Sequence, residues 1–210
     1  MAKSQGFVLP FTGRVGRTTT GYRAGRYITR VIPDVKPTGD PTKEQIEQRA
    51  KFGFIANLMS TFIISLRMGL NHLDPTYAYQ QGIKLNFPKV SLNGQGQPQI
   101  TYADIELSKG KIPNASFAAP SFEETNTIQV SFTGNVSEVG AKSTDEVYIV
   151  AYTPDLNAAL VSAPQPRTAQ SITINTPLGW NGCHVYVYGF VVRSARVVSD
   201  SAYVGTGTIN

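Results

Sequence analysis

The sequence predicts a mostly β protein with one long α-helix, and three observations lead to this fold class. Apolar residues recur at steps of three and four from about residue 46 to residue 70, as on a helix. From about residue 86 the pattern changes to alternation with period two, interrupted by turn signals such as Asn93-Gly94 and Asn181-Gly182. The first 33 residues contain six basic residues and no acidic one, which predicts an extended basic arm before the helix.

The arm, residues 1–33, intersperses its arginines with glycine, threonine and β-branched residues. If its later half forms one strand, alternation separates two sets of side chains. Tyr22, Ala24, Arg26, Ile28, Arg30 and Ile32 then share one face, and Arg23, Tyr27, Thr29 and Val31 share the other. Neither face is purely apolar, so such a ribbon needs a sheet to join, either in its own chain or in a neighbour.

The long helix is predicted to begin at Asp40-Pro41, which offer an N-cap followed by proline at the first helical position. It is expected to end before Pro75, so that about thirty residues would span ~45 Å. Its C-terminal half is apolar almost all round, which predicts packing against more than one partner. The residues expected to carry that packing are Phe52, Ile55, Phe62 and Leu66. Residues 77–85 fit a second short helix.

Membrane insertion and secretion are not predicted from this sequence. The most apolar stretch, residues 52–66, is shorter than the ~20 residues that a bilayer requires and contains Asn57, Ser60 and Thr61. The N-terminal segment has a short apolar run broken by Pro10 and no small-residue cleavage site, so we predict no secretory signal. We therefore expect no transmembrane segment.

Short strands separated by turns fill the chain from residue 115 onward. Their number and spacing predict a β-sandwich of ~90–100 residues, immunoglobulin- or fibronectin-like. Its core is expected to contain Trp180 and the aromatic ladder Tyr186, Tyr188 and Phe190. The predicted organisation is thus a basic arm (1–33), a helical and β-hairpin region (34–114) and a β-sandwich domain (115–210).

The net charge of +5 is distributed unevenly along the chain. Residues 1–33 carry +6, residues 34–120 carry nine bases and seven acids for +2, and residues 121–210 carry four bases and seven acids for −3. The basic character therefore belongs to the arm alone. Because the two ends of the chain carry opposite charges, we favour subunits that meet head to tail and not a protein that coats nucleic acid.

Few residues are available for catalysis or metal binding. The single cysteine, Cys183, excludes an internal disulfide and a multi-cysteine metal site, and the chain has only two histidines, His72 and His184. Neighbouring residues on a strand point to opposite faces, so Cys183 and His184 are not expected to pair as nucleophile and base. We expect His72 to cap a helix C-terminus.

Two pairs of adjacent acids, Glu123-Glu124 and Asp145-Glu146, are interpreted as solvated loop charges. No glycine-rich phosphate loop is present either, because Gly13-x-x-Gly16 is not followed by Lys-Ser/Thr. The sequence accordingly predicts no catalytic residue, no metal site and no cofactor. We expect a non-enzymatic protein.

Three interpretations of the arm remain open. As an assembly arm it would add a strand to the open sheet edge of another subunit. As a nucleic-acid arm its arginines would neutralise phosphates and its tyrosines would stack on bases. As an intramolecular strand it would hold solvated arginines. The residues concerned are Arg14, Arg17, Tyr22, Arg23, Arg26, Tyr27 and Arg30.

Motifs spread over nearly the whole chain carry a family resemblance. They include Phe11-Thr12-Gly13-Arg14-Val15-Gly16, Gln45-x-x-Gln48-Arg49-x-x-Phe52, Asp145-Glu146-Val147-Tyr148 and Ser199-Asp200-Ser201-x-Tyr203. These residues resemble an uncharacterised domain family of Bacteroidota proteins, and the N-terminal pattern is similar to one in phage structural proteins. The similarity to phage structural proteins implies a subunit of a virion or a filament. Together with the composition of the arm, it leads us to expect a non-enzymatic structural subunit that self-assembles through its N-terminal arm into a filament, a ring or a virion-like particle, in a virion or outside the cell. The alternative is a binding module for glycan, peptide or nucleic acid.

Overall fold

The structure of the protein is a computed structural model that describes residues 12–23, 25–32, 39–70, 77–194 and 197–210. The chain forms two compact units, Met1–Thr42 and Lys43–Asn210.

The described part of the first unit is a three-stranded antiparallel meander, ordered β1-β2-β3. The strands are β1 (Gly13–Val15), β2 (Thr18–Arg23) and β3 (Arg26–Val31). Each connection spans two residues, and each contains a glycine with positive φ, Gly16 at 57° and Gly25 at 75°. These left-handed conformations are the ones that tight hairpins require, which explains why glycine stands at both turns.

The second unit begins with three helices, α1 (Lys43–Thr61), α2 (Ile63–Gly69) and α3 (Ala78–Asn86). The prediction of one long helix is wrong, because the chain bends by 80° between α1 and α2. The Ser65 hydroxyl donates to the Phe62 carbonyl oxygen at 2.9 Å, and the Ser60 hydroxyl donates to the Asn57 carbonyl oxygen at 2.6 Å. Hydroxyl groups bonded to helical carbonyls favour such bends. The short helix expected at 77–85 is confirmed as α3.

No single helix in the described ranges is both long enough and apolar enough to cross a membrane. Taken together, the bent pair α1 and α2 meets the requirements of length and apolar composition for such a span.

The helices bury most of the residues that were expected to pack. Ile55, Phe62 and Leu66 are buried in one cluster with residues of α3. Phe52 was also expected to pack, but its surface is 53% exposed. The first buried residue of α1 is Ile55, so Phe52 precedes the part of the helix that the protein covers. Periodicity identifies the buried face of a helix but not where burial begins along its axis.

Two sheets form the rest of the second unit. The strands are β4 (Ser91–Leu92), β5 (Pro98–Gln99), β6 (Ser116–Phe117), β7 (Thr127–Thr133), β8 (Glu146–Thr153), β9 (Ala158–Val161), β10 (Gln165–Pro166), β11 (Ser171–Asn175), β12 (His184–Ser194), β13 (Val197–Val198) and β14 (Ala202–Thr208). In the six-stranded sheet β8 and β12 are central, with β9 and β10 beside β8 and with β13 and β14 beside β12. The three-stranded sheet has the order β11-β7-β6, and β4 and β5 form a separate hairpin.

The six-stranded sheet is covered on both faces. Alternate residues of β12 enter two different clusters: Val185, Val187 and Val191 pack with the three-stranded sheet, whereas Tyr188 and Phe190 pack with the helices. The prediction that the aromatic ladder belongs to the sandwich core is therefore wrong, although Trp180 does lie there. A strand covered on both faces is apolar on both, so the sequence alone could not assign its two faces.

The architecture confirms a mostly β protein with several sheets. Regions 34–114 and 115–210 share the helix-side cluster, which joins Ile55 and Leu66 to Tyr188 and Phe190. On the opposite face of the six-stranded sheet a Cβ at Gly189 would lie 2.5 Å from the Phe117 ring. Glycine is thus required where the ring packs directly on the backbone.

Candidate assembly site

The strand register gives the arm two chemically different faces. Residues directly opposite one another in an antiparallel pair project from the same face. Tyr22 lies opposite Tyr27, and Thr20 lies opposite Thr29. With the remaining pairs, this defines the tyrosine face of the arm: Val15, Thr18, Thr20, Tyr22, Tyr27, Thr29 and Val31.

Side chains of the tyrosine face contact one another, but most of their surface is open to solvent. The Tyr22 and Tyr27 rings have centroids 4.8 Å apart, and the Thr20 and Thr29 hydroxyls share a hydrogen bond of 2.9 Å. Thr20 is buried, yet Tyr22, Tyr27 and Val31 are 59%, 50% and 68% exposed. A meander of this size with so much apolar surface in water is expected to gain stability from a partner.

The opposite face of the arm is basic. Arg14, Thr19 and Arg30 lie side by side across the three strands, and Arg26 and Ile28 follow on β3. We call this set the arginine face. The guanidinium Nε of Arg14 donates to the Gly16 carbonyl oxygen at 3.1 Å. Arg14, Arg26 and Arg30 are exposed, and none forms an ion pair with a carboxylate among the described residues.

The single-strand alternation predicted for residues 22–32 is wrong. It separated Tyr22 from Tyr27, whereas the structure places the two side by side. The two-residue turn between Arg23 and Arg26 reverses the chain. Odd-numbered residues of β3 therefore share a face with even-numbered residues of β2, which a continuous strand would not allow. Arg17 lies in the first turn, and Arg23 pairs with Arg26 through the backbone.

The second unit contains a buried ion network that sequence reasoning missed. The side chains of Asp145 and Arg167 are both fully buried, and Arg167 Nε donates to Asp145 Oδ2 at 3.1 Å. Arg193 donates to both oxygens of the same carboxylate, through Nε at 2.7 Å and through Nη2 at 3.0 Å. The interpretation of Asp145 as a solvated loop charge is therefore wrong. Glu146, its neighbour, is exposed and accepts a hydrogen bond from the Tyr148 hydroxyl.

The two other guanidinium nitrogens of Arg167 donate hydrogen bonds to backbone carbonyl groups outside the strands. Arg167 Nη1 donates to the Gly134 carbonyl oxygen at 2.6 Å, and Nη2 donates to the Pro113 carbonyl oxygen. Burial alone would raise the pKa of Asp145, but hydrogen bonds from Arg193, from the Lys142 amide and from Arg167 outweigh it and lower the pKa. All three guanidinium nitrogens of Arg167 and both carboxylate oxygens of Asp145 have a partner, which is what a structural role requires of a buried ion network.

An open cleft of about 820 Å³ lies beside this network. Polar side chains line most of it, including Ser131, Thr133, Asn135 and Gln170. No group of three or more His, Cys, Asp or Glu side chains that could hold a metal occurs within the described parts of the chain.

The candidate thiol and its neighbour do not face each other in a catalytic pair. The Cys183 thiol contacts the Gly179 carbonyl oxygen at 3.9 Å. The His184 ring nitrogen Nε2 lies 2.7 Å from the Thr206 hydroxyl, and the His184 amide donates to Asp155. His72 lies outside the described residues.

Comparison with known proteins shows the family. Residues 11–205 match the model of a family of unknown function, DUF6266, and the chain belongs to this family. The expectation of an uncharacterised family is thereby confirmed. No curated protein matches the chain. One similar solved structure is the fn3 domain of human collagen alpha-1(XX) chain, at 17% identity and a TM-score of 0.33 over 49% of this chain and 88% of that one.

Proposed function

We propose that this protein is a non-enzymatic structural subunit that self-assembles through its N-terminal arm. The body of the subunit is the helix-covered, fibronectin-like sandwich, and the product is a filament, a ring or a virion-like particle. The N-terminal pattern that resembles phage structural proteins favours assembly in a virion or outside the cell. The proposal requires neither a cofactor nor a metal.

The observation that carries the proposal is the exposed tyrosine face of the arm. Tyr22, Tyr27 and Val31 place aromatic and branched side chains in water on a sheet of three short strands. Tyrosine is enriched in the centres of protein interfaces because its ring buries a large area and its hydroxyl still finds a partner. A second surface that covers this face would supply the apolar burial that the meander lacks by itself.

The arginine face supplies orientation more than binding energy. Exposed arginine–carboxylate pairs contribute only ~0–1 kcal/mol each. They do steer encounter and exclude wrong registers, because like charges repel. Main-chain pairing and burial of the tyrosine face are therefore expected to dominate the free energy of assembly.

Deletion of residues 1–33 tests the proposal directly. The mass of the full chain and of the truncated chain would be measured by light scattering, and the particles would be viewed by electron microscopy. We expect the full chain to form oligomers or particles and the truncated chain to remain a folded monomer. A full chain that is monomeric at all accessible concentrations would contradict self-assembly.

The arginine face also favours one alternative, a binding module that holds nucleic acid with the arm. Three arginines on one face of a small sheet could each neutralise a phosphate. That function predicts oligonucleotide affinity that falls steeply with salt and is lost when the arginines become glutamine. Assembly of the full chain without nucleic acid, together with weak oligonucleotide binding at physiological salt, would reject it. Glycan or peptide binding by the sandwich is the other form of this alternative.

A further inference from the structure

Among the strands that the structure describes, none pairs with the outer edge of β14 in the six-stranded sheet. Within the described residues, β14 forms its ladder on one side only, with β12. Its sequence, AYVGTGT, contains no charge and no proline, and these are the residues by which edge strands usually avoid pairing with other chains. Tyr203, Thr206 and Thr208 are exposed along it.

Acidic side chains lie near β14. The short 3-10 helix Tyr102–Asp104, which ends with Asp104, contacts this strand. Glu123 and Glu124 follow Phe122, whose ring packs directly on Gly207 of β14. All three carboxylates are exposed, and no described basic side chain forms an ion pair with them.

The arm presents the complementary features. Its edge strand β3 is six residues long, close to the seven of β14, and it pairs only with β2 among the described strands. Arg26 and Arg30 project from β3 and carry no ion pair with a described acid. An edge that carries charge resists indiscriminate pairing, but it can still pair with an edge that lies among opposite charges.

We propose that β3 of one copy of the chain adds to the open edge of β14 in a second copy. This inference rests on the proposed function and names its docking surface. Main-chain hydrogen bonds between the two edges supply affinity, as in other strand-addition complexes. Arg26 and Arg30 project from the same face of β3, so they would meet acids on one face of the acceptor sheet: Asp104 on the helix side, or Glu123 and Glu124 on the opposite side. This charge pairing selects the partner. Because the two surfaces differ, the contact is head to tail and generates rings or filaments.

A lysine on the acceptor edge tests the proposal. Thr208→Lys places a positive charge on β14, where it would repel the incoming arginines and protect the edge. We expect the dissociation constant of assembly, from sedimentation equilibrium, to rise at least about tenfold. The matched control is Thr173→Lys, at an exposed position of β11 on the edge of the three-stranded sheet. It is expected to change assembly less than about twofold, and circular dichroism would confirm that both variants fold.

Cross-linking between copies provides a second measurement that does not depend on weakened assembly. With Cys183→Ser as background, one copy carries Val31→Cys and the other carries Tyr203→Cys or Thr208→Cys. Adjacent strands bring Cα atoms to about 4.5–5.5 Å, which suits a disulfide. We expect a mixed disulfide with one of the two acceptor positions, since strand direction decides which one lies opposite Val31. A control partner carrying Thr173→Cys should not cross-link.

The outcomes separate this inference from the proposed function. Arm-dependent assembly that tolerates Thr208→Lys and forms neither cross-link would overturn docking on β14 while leaving self-assembly in place. A chain that stays monomeric with or without its arm would overturn both.

Discussion

The rings of Tyr22 and Tyr27 face each other across the second hairpin of the arm, with centroids 4.8 Å apart and planes tilted by 55°. The contact exists because the two-residue turn at Gly25 sets the register that makes these residues cross-strand partners. Cross-strand aromatic pairs contribute about 0.2–1 kcal/mol to a sheet. The same two rings are half exposed, so they can stabilise the meander and still contact another subunit.

We expect Tyr22→Ala with Tyr27→Ala to abolish assembly while leaving the body folded. Each interface aromatic of this kind contributes about 2 kcal/mol or more when truncated, which corresponds to roughly a thirtyfold loss of affinity for each of the two rings. Sedimentation velocity would measure the oligomer distribution. Leu178→Ala removes an even more exposed apolar side chain from the second unit, at 81% exposure, and should leave assembly unchanged. Equal effects of the two changes would argue against a specific role for the arm.

Replacing Arg14, Arg26 and Arg30 by glutamine should slow association more than it accelerates dissociation. Charges at the rim of an interface act mainly on encounter, and salt screens them. Stopped-flow light scattering at low and at high salt would separate the two rates. A matched control replaces the exposed Lys84, Lys111 and Lys142 by glutamine, which removes the same charge from the body. If the control slows association as much, net charge and not the arginine face governs assembly.

The buried carboxylate of Asp145 is expected to be essential for stability. In Asp145→Asn the Arg167 guanidinium, fully buried in the protein, loses its charge partner. Breaking a buried pair on one side typically costs about 3–5 kcal/mol. Urea denaturation would measure this as a lower midpoint. Glu146→Gln changes the exposed neighbour and should cost much less, and a similar loss in both variants would reject the structural role of the network.

Acid should weaken the fold through the same residue. Because the pKa of Asp145 is lowered in the folded protein from its ordinary value of 3.8, its ionised form favours folding. That contribution is complete above the ordinary value and is lost as the pH falls through the lower, folded value. The difference in unfolding free energy between the wild type and Asp145→Asn should therefore shrink below about pH 4. A difference that stays constant from pH 6 to pH 2 would exclude this carboxylate as the origin.

Gly189→Ala should destabilise the contact between the two sheets. The added methyl would lie 2.5 Å from the Phe117 ring, and such overpacking costs about 1–3 kcal/mol. Combining it with Phe117→Leu creates room, so the double variant should lose less stability than the sum of the two single variants. Thermal unfolding of all four chains gives the coupling. Additive losses would mean that the ring does not limit the size of residue 189.

Local pattern predicted the elements better than it predicted their packing. The segments SITIN in β11 and TIQVSFT in β7 alternate with period two, the pattern that predicts strands, and both strands bury alternate residues. The apolar periodicity of residues 46–70 indicated a helix, but periodicity carries no information about an 80° bend at Phe62. The same limit applies to Phe52, which has a core-like side chain but lies before the buried segment of α1.

Composition and short-range alternation were enough to predict a mostly β chain with a basic, glycine-containing arm and no internal disulfide. That the arm is a meander with a tyrosine face and an arginine face became visible only in the folded chain. Tertiary structure likewise decided that Asp145 is buried between two arginines and that Tyr188 faces helices. Each of these features depends on which residues contact one another across a turn or between layers of the fold. Such contacts are set by strand register and by the packing of segments that are distant in the chain.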